Sequence, residues 1–152
     1  MMRLRGFEHV SGYETAGLPL PARSTPGSAG YDFVAAENIC LPAGERALIP
    51  TGIKAYMLQD EYLGMHIRSS LAVKHGLQLV NAQGVIDSDY YNNPENEGHI
   101  LIALVNCGRQ AVTIERGMRI AQGIFYKFLL ADADKAVEKA GRSGGIGSTG
   151  QI

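Results

Sequence analysis

Short apolar runs separated by turn residues recur along most of this chain, and they constrain its fold more than any other feature. Turn signals at Pro42-Ala43-Gly44 and at Pro50-Thr51-Gly52 divide the region between residues 39 and 57 into several short strands. We predict further strands near the N-terminus and at residues 31–36, 62–67, 77–80, 100–106, 110–114 and 120–130. Many short strands at such close spacing are typical of an all-β barrel or sandwich.

The stretch Asn81 to Tyr90 has the pattern of a hairpin. An apolar strand runs into it, Asn81 and Gly84 supply turn residues, and a return strand starts at Val85. Asp87 then interrupts that strand among β-branched and aromatic neighbours. An ionised carboxylate there costs free energy unless it is hydrogen-bonded or solvated in a pocket. Taken alone, Asp87 is interpreted as a turn aspartate, and the rest of the chain decides whether it is more.

Two helical segments and a glycine-rich tail break the strand pattern. Ser69 in an N-cap position and Gly76 in a C-cap position predict a short helix between them. Residues 131–140 are rich in helix formers but offer few apolar side chains. The tail that follows, residues 141–150, cannot order itself. It is therefore either a frayed terminus or an arm that becomes ordered on a ligand.

Length and charge exclude several classes of protein. The chain has 152 residues and a formal net charge of −1, so it is long enough for one domain and carries no basic field for nucleic acid or an anionic membrane surface. No apolar run approaches the roughly 20 residues of a membrane span, and the first residues lack the core of a signal peptide. Cys40 and Cys107 share no metal-ligand spacing, so we predict reduced core thiols and a cytoplasmic protein.

Two stretches have the chemistry of anion sites. Arg68-Ser69-Ser70 opens the short helix and presents backbone N–H groups, hydroxyls and a guanidinium at its positive end. Arg142, with Ser148 and Thr149, offers the same groups in the glycine-rich tail. Neither is a Walker P-loop, since no lysine follows a GxxxxG pattern. Two anion-binding stretches, together with the Asp87 carboxylate in an apolar strand, predict that the ligand is a polyphosphate ester and that Asp87 is a base near it.

Five stretches, in order, resemble the five motifs of the trimeric dUTPase family (deoxyuridine triphosphate nucleotidohydrolases). They span nearly the whole chain: Ala29-Gly30-Tyr31-Asp32-Phe33-Val34-Ala35; Arg68-Ser69-Ser70-Leu71-Ala72; Asn81 with Gly84-Val85-Ile86-Asp87-Ser88-Asp89-Tyr90; Gly117-Met118-Arg119-Ile120-Ala121-Gln122; and Arg142-Ser143-Gly144-Gly145-Ile146-Gly147-Ser148-Thr149-Gly150.

The resemblance implies a distorted jelly-roll β-barrel with one short helix over residues 1–140, and a flexible C-terminal arm over residues 141–152. It also implies a homotrimer in which each active site lies between subunits and the arm closes over a neighbouring subunit's site. The implied reaction is hydrolysis of dUTP to dUMP and pyrophosphate, with Mg²⁺ held by the triphosphate and water rather than by the protein. That reaction keeps uracil out of DNA and supplies dUMP for thymidylate synthesis.

Residue roles carry over by position in the motifs. Asp87 is the expected general base for the water that attacks the α-phosphorus. Asn81 and the backbone around Gly84 are expected to bind uracil, with Tyr90 under the deoxyribose and Ile146 as the lid. Asp32 is expected to support the site through waters and arginines. The expected phosphate ligands are Arg68, Ser69, Ser70, Gln122, Arg142, Ser148 and Thr149.

The chain departs from the family pattern in three places. Ile146 stands where the family usually has an aromatic that stacks on uracil. An insertion at residues 91–97 precedes the glycine that usually follows Tyr90 more closely, and it supplies Tyr91 as a candidate stacking partner or as a residue packed on its own subunit. Met118 replaces a common aspartate beside Arg119, which implies a looser ion pair.

Two alternatives have the same overall pattern. The dCTP deaminase family shares the fold and an Arg-Ser-Ser motif, but it needs a glutamate on the strand after the third motif, and residues 100–104 contain none. The other alternative is a regulator that binds dUTP but has lost the ability to hydrolyse it. The presence of Asp87 argues against this alternative.

Overall fold

The structure is a computed structural model that describes residues 2–134, 139 and 141–146. In that part of the chain, antiparallel strands dominate and a single α-helix, α1 (Ser69–His75), interrupts them. The strands are β1 (Gly6–His9), β2 (Ala22–Arg23), β3 (Tyr31–Val34), β4 (Ile39–Leu41), β5 (Arg46–Pro50), β6 (Ile53–Tyr56), β7 (Glu61–Ile67), β8 (Leu77–Leu79), β9 (Gly84–Asp87), β10 (Leu101–Asn106), β11 (Val112–Ile114) and β12 (Arg119–Lys127). Among the described residues, no helix is long and apolar enough to cross a membrane.

The strands form two larger sheets and two ribbons. The largest sheet has the order β2-β3-β12-β7-β9, and a three-stranded sheet has the order β5-β10-β8. The ribbons are β1-β6 and β11-β4. All of these pairs are antiparallel, so the predicted mainly β architecture is confirmed.

One face of the five-stranded sheet builds the core, because side chains alternate between the faces of a strand. Leu63 and Met65 of β7 are buried together with Phe33 of β3 and Ala121 of β12. Gly123 completes this face, since a Cβ there would lie 2.9 Å from the ring of Phe33. The opposite face is left to polar and half-buried side chains, among them Asp32, Asp87 and Gln122.

The predicted hairpin at residues 77–86 is wrong in its pairing. β8 pairs with β10, with Leu79 opposite Leu104, whereas β9 pairs with β7, with Gly84 opposite Met65. The two strands therefore belong to different sheets, and residues 80–83 cross between them. Leu77 and Leu79 are both buried, which favours a place in the sheet that covers the core over a free hairpin.

The short helix begins one residue earlier than its predicted cap implies. Arg68 is the N-cap residue, with extended backbone and no side-chain capping bond, and Ser69 is already helical. β7 runs up to Ile67, so the chain turns directly from strand into helix at Arg68. The predicted C-cap is confirmed: Gly76 has a φ of +69°, and its N–H donates to the carbonyl of Ala72.

Three smaller expectations differ from the structure. β12 ends at Lys127 rather than at residue 130. Of the predicted helix at 131–140, residues 131–134 contain a turn in which the Asp134 N–H donates to the Ala131 carbonyl at 3.0 Å, while residues 135–138 and 140 lie outside the described residues. Cys40 and Cys107 are free but exposed, so they are not core thiols. Cys40 is on the outward-facing side of β4, opposite Thr113 of β11, and Cys107 directly follows the end of β10.

Candidate active site

A cleft of about 510 Å³ brings together several of the residues expected at the site. Its walls come from the β8–β9 crossing, from β10 and from the described part of the C-terminal arm. The site residues predicted from the sequence that line it are Asn81, Gly84, Asp87, Tyr90, Arg142 and Ile146.

Asp87 lies at the mouth of this cleft because it is the last residue of β9, opposite Tyr62 of β7. Its side chain is 47% exposed, so it is open to water without being fully solvated. The Arg142 guanidinium forms an ion pair with Asp87 and donates through Nε to Asp89 at 2.7 Å. The carboxylate that looked costly in the sequence is therefore both partly solvated and paired.

Gly84 allows β9 to approach β7 closely. A Cβ at this position would lie 3.0 Å from the Cβ of Met65. A larger residue would push β9 outward and move Asp87, which lies three residues further along the same strand. Backbone groups near Gly84 thus face the cleft without an intervening side chain, which suits the close approach of a planar ligand.

Tyr90 forms the floor of the cleft at the end of a 3₁₀ turn, Ser88–Tyr90. Its hydroxyl donates to the His99 carbonyl at 2.8 Å and accepts from Asn96 Nδ2 at 2.8 Å. The Arg142 guanidinium lies 5.9 Å from the ring centroid, within range of a cation–π contact. The hydroxyl end of the ring is thus held by two hydrogen bonds.

A second group of predicted residues lies around Asp32, and we call it the arginine cluster: Asp32, Arg68, Arg119 and Gln122. Asp32 accepts hydrogen bonds from Ser24 Oγ at 2.9 Å and from Arg119 Nη1 at 3.2 Å. Arg68 Nε lies 3.7 Å from the same carboxylate. Gln122 pairs with Asp32 in the β12–β3 register. Two guanidiniums converge on a single carboxylate here, so the cluster keeps excess positive charge for an anion.

Gln122 is positioned by close contact with Gly30. A Cβ at Gly30 would lie 2.3 Å from Gln122 Oε1. Any larger residue at position 30 would therefore displace the Gln122 amide from its observed position. Ser69 and Ser70, in the first turn of α1, are exposed beside this cluster. The arrangement combines amide, hydroxyl and guanidinium groups, which together bind phosphate oxygens well.

Asp87 and the arginine cluster lie at opposite ends of β7. Asp87 is opposite Tyr62, near the start of the strand, while Arg68 follows Ile67 at its end. Tyr62 and Arg68 are six residues apart. At roughly 3.3 Å per residue, that separates their backbones by about 20 Å. One chain therefore carries two halves of the predicted site, but it does not bring them together.

The remaining predicted site residues, Ser148 and Thr149, lie outside the described residues. Tyr91, the candidate stacking partner, is absent from the cleft walls. Its hydroxyl donates to Glu8 at 2.5 Å, and its ring packs edge-on against Tyr56 at 5.9 Å. The hydroxyl of Tyr91, together with Arg3, lowers the pKa of Glu8. Tyr91 thus packs on its own subunit.

Sequence reasoning missed several residues that shape the cleft. Glu95 and Asn96 of the insertion line it, and Glu95 Oε2 accepts from the Gly145 N–H of the arm at 3.1 Å. Arg119 was not among the predicted site residues, although it binds Asp32. The asparagine and glycine content of residues 92–98 marked a structured turn, but nothing in the sequence showed that this turn faces the cleft.

The described residues contain no group of three or more His, Cys, Asp or Glu side chains that could hold a metal ion. Hard ions such as Mg²⁺ accept phosphate oxygens and waters as ligands and do not require a protein cage of that kind. The donor set of the described residues therefore fits an ion that arrives with a polyphosphate ligand.

Comparison with known proteins gives a consistent result. Residues 17–150 match the family model described as dUTPase. A deoxyuridine 5′-triphosphate nucleotidohydrolase of Lactococcus lactis is 54% identical over 149 residues, covering 98% of this chain and 99% of that protein. One of Rickettsia felis is 41% identical and covers 98% of this chain and 96% of that protein. The crystal structure of a dUTPase from Streptococcus mutans is 50% identical, with a TM-score of 0.79 over 84% of this chain and 98% of that chain. The predicted jelly-roll fold is confirmed by this match.

Proposed function

Since the chain belongs to the dUTPase family and is a dUTP diphosphatase, which hydrolyses dUTP to dUMP, we propose that Asp87 is its general base. In this mechanism Asp87 orients a water and takes its proton as the water attacks the α-phosphorus, and pyrophosphate leaves. The supporting observation is the position of Asp87. It is half-exposed at the mouth of the cleft that also contains Asn81 and Tyr90. A base there lies beside the bound nucleoside rather than at the far end of the triphosphate.

The cleft supports recognition of deoxyuridine. Asn81 and the backbone around Gly84 present donors and acceptors to the uracil edge, whose pattern is the reverse of cytosine's. Tyr90 lies under the sugar and leaves no room for a 2′-hydroxyl. Steric rejection of this kind is effective only when the rejecting side chain is held firmly, as the two hydrogen bonds of the Tyr90 hydroxyl hold it.

The arginine cluster is proposed to bind the phosphates, through Arg68, Ser69, Ser70 and Gln122, with Asp32 orienting the arginines. Because this cluster lies about 20 Å from Asp87 along β7, a complete site needs residues from a second copy of the chain. Closed cyclic assemblies bring two different surfaces of one chain together in this way. The separation therefore supports the proposed homotrimer with active sites between subunits.

The C-terminal arm, residues 141–152, is proposed as a part separate from the domain of residues 1–140 that closes over the site. Arg142, Gly145 and Ile146 lie against the cleft of their own chain in the structure. The same contacts are open to an arm that reaches over from a neighbouring subunit, as we propose for the trimer. Arg142 then binds phosphate together with Ser148 and Thr149.

Mg²⁺ is the proposed cofactor, held by substrate phosphates and water. When bound, it would neutralise negative charge on the triphosphate. Phosphoryl transfer depends more on this neutralisation of charge than on covalent catalysis by the protein. The residues of the chain bind and orient the nucleotide, and Asp87 takes the proton from water. The proposed physiological consequence is that uracil is kept out of DNA and dUMP is supplied for thymidylate synthesis.

The test is turnover of dUTP, dCTP, dTTP and UTP by the purified chain in H₂¹⁸O with Mg²⁺, with and without excess EDTA. We expect dUTP alone to be hydrolysed rapidly, with ¹⁸O in dUMP and none in pyrophosphate, and the reaction to stop with EDTA. Label in pyrophosphate would place the attack at the β-phosphorus and contradict the proposed role of Asp87. Release of ammonia from dCTP would favour the deaminase alternative, for which β10 carries no glutamate.

A further inference from the structure

The insertion at residues 91–97 forms a compact loop built around two asparagines. Asn93 is only 5% exposed, and its Oδ1 accepts from the N–H groups of Glu95 at 3.0 Å and Asn96 at 3.1 Å. The backbone closes on itself, with the Glu97 N–H donating to the Asn93 carbonyl at 3.0 Å. A buried side chain that satisfies backbone donors in this way fixes the course of a loop.

Asn96 connects this loop to Tyr90. Its Nδ2 donates to the Tyr90 hydroxyl at 2.8 Å, while its Oδ1 accepts from Asn93 Nδ2 at 2.8 Å and from the Gly98 N–H at 3.0 Å. The two bonds to Oδ1 fix the orientation of the amide, so that the donor points at the hydroxyl. The Tyr90 hydroxyl in turn donates a hydrogen bond to the His99 carbonyl.

The loop also holds the main chain of Tyr90. Asn93 Nδ2 donates to the Tyr90 carbonyl at 2.8 Å. Gly98 passes so close that a Cβ there would lie 2.6 Å from the same carbonyl oxygen, and its φ of +84° suits glycine. The insertion therefore forms hydrogen bonds with both the backbone carbonyl and the hydroxyl of Tyr90.

Contacts outside the loop keep it in place. Lys54 on β6 donates to Asn92 Oδ1 at 2.8 Å and forms an ion pair with Glu97 at 3.2 Å. Tyr91 is bound to Glu8 on β1. The insertion is thus fixed on the β1-β6 ribbon, and Asn96 is presented to Tyr90 from a firm support.

We infer that Asn96 is a positioning residue for sugar selection, which acts by holding the Tyr90 hydroxyl. This inference rests on the proposed role of Tyr90 under the deoxyribose. A tyrosine ring free to tilt admits a 2′-hydroxyl, whereas a ring whose hydroxyl is held by both a donor and an acceptor does not. Asn96 acts through the Tyr90 hydroxyl and not on the reacting groups, so its removal should affect the choice between dUTP and UTP more than the chemical step.

The experiment is a double-mutant cycle on the ratio of kcat/KM for dUTP to that for UTP, with Asn96→Ala and Tyr90→Phe made singly and together. We expect each single change to lower the ratio roughly 3–10-fold, the effect of one hydrogen bond. In the Tyr90→Phe background, Asn96→Ala should have no further effect, because the hydroxyl through which it acts is gone.

Asn92→Ala is the matched control. It removes a hydrogen bond from the same loop, but that bond goes to Lys54 rather than to Tyr90. We expect it to lower the thermal midpoint and leave the dUTP/UTP ratio unchanged. Equal changes of the ratio in Asn92→Ala and Asn96→Ala would show a general effect of loop stability and would overturn the inference.

Tyr90→Ala separates the inference from the proposal on which it rests. If Tyr90→Ala narrows the ratio but Asn96→Ala does not, Tyr90 selects the sugar and Asn96 does not position it. If Tyr90→Ala leaves the ratio unchanged, the sugar-selecting role of Tyr90 is wrong and the inference is wrong with it. Should Asn96→Ala fail to fold, Asn96→Asp replaces it in the cycle. Asp keeps the acceptor oxygen for Asn93 and Gly98 but cannot donate to the Tyr90 hydroxyl, and the same loss of effect in the Tyr90→Phe background is expected.

Discussion

Arg142 of the arm forms an ion pair with Asp87 at the end of β9, and the same guanidinium also donates to Asp89. The proposed base is therefore paired with a cation in this structure. A triphosphate offers Arg142 stronger anionic partners than a half-exposed carboxylate does. Substrate binding should thus draw the guanidinium away from Asp87 and leave that carboxylate free to accept a proton from water.

Replacing Asp87 with asparagine tests its role as the base. The amide keeps the size of the side chain but cannot take a proton, so kcat should fall roughly 10²–10⁴-fold, the usual contribution of a positioned general base. The dissociation constant of a non-hydrolysable dUTP analogue should stay within a few-fold of wild type. Rates should be measured under single-turnover conditions, and hydrolysis within a few-fold of wild type would remove Asp87 from that role.

Removal of residues 142–152 tests the arm. In its described part the arm adds no fully buried apolar side chain to the core, so the oligomer should keep its size and thermal midpoint. Hydrolysis of dUTP should collapse, because Arg142 and the hydroxyls of Ser148 and Thr149 are lost together.

Arg142→Lys is the matched variant for the arm experiment. It keeps the charge but loses the forked guanidinium that reaches both Asp87 and Asp89. We expect kcat/KM to fall roughly 10–100-fold, in the range of one or two charge-assisted hydrogen bonds. Dissociation of the oligomer upon truncation, seen by light scattering, would instead make the tail a structural strap.

Mixing two inactive variants tests whether the site lies between copies. Asp87→Asn chains keep an intact Arg68, and Arg68→Ala chains keep an intact Asp87. In randomly mixed trimers, roughly a quarter of composite sites contain both native residues, so about that share of wild-type activity should return.

The control for the mixing experiment combines Asp87→Asn chains with chains that carry both substitutions. No native Asp87 is then present, and activity should stay at the background of the single variant. Mixed oligomers should first be verified by mass spectrometry. If verified Asp87→Asn and Arg68→Ala mixtures gain no activity, the two residues serve sites within single chains, contrary to the separation of about 20 Å along β7.

The strands and the short helix were predicted largely from local signals in the sequence, whereas most residues of the cleft were predicted from the resemblance of the five motifs. Gly84 and Asp87 could be assigned to a return strand because turn and strand propensities are local properties. The partner of that strand could not be predicted, because β9 pairs with β7 through contacts that depend on the whole fold. The position of Asn96 was missed for the same reason. Its turn-forming residues were visible, but its hydrogen bond to the Tyr90 hydroxyl is a tertiary contact.

His99 should make the stability of the protein depend on pH. Its Nε2 accepts a hydrogen bond from the Gly52 N–H at 2.9 Å, which requires that nitrogen to be unprotonated. Burial lowers the pKa of His99, and the opposing effects of Glu37 and Glu97 are smaller. The unfolded chain therefore binds a proton near the ordinary histidine pKa of about 6.5, whereas the folded chain resists it. Above about pH 6.5, His99 should not affect the free energy of unfolding. As the pH falls from about 6.5 toward the lower pKa of His99 in the folded chain, the free energy of unfolding should decline.

His99→Gln is the control for this pH dependence, because the glutamine carbonyl oxygen can accept from Gly52 but does not titrate. Denaturant unfolding of both proteins between pH 7.5 and pH 5 should show the decline in the wild type and a smaller one in the variant. Parallel curves would show that other groups cause the decline.

The cover of the uracil pocket is the last point at which the chain departs from its family. Ile146 lines the cleft and is 83% exposed, whereas Tyr91 is held by Glu8 and Tyr56 outside it. We therefore expect Ile146→Ala to raise the KM for dUTP roughly 3–10-fold through lost apolar contact. Tyr91→Ala should leave KM within about twofold and lower the thermal midpoint, and the double variant should show only the sum of the two effects.

Ile146→Phe should lower KM, since stacking of a base on an aromatic face contributes roughly 1–3 kcal/mol. Steady-state kinetics on the four variants decides the matter, and a rise in KM for Tyr91→Ala as large as that for Ile146→Ala would show that Tyr91 leaves Glu8 to cover the base.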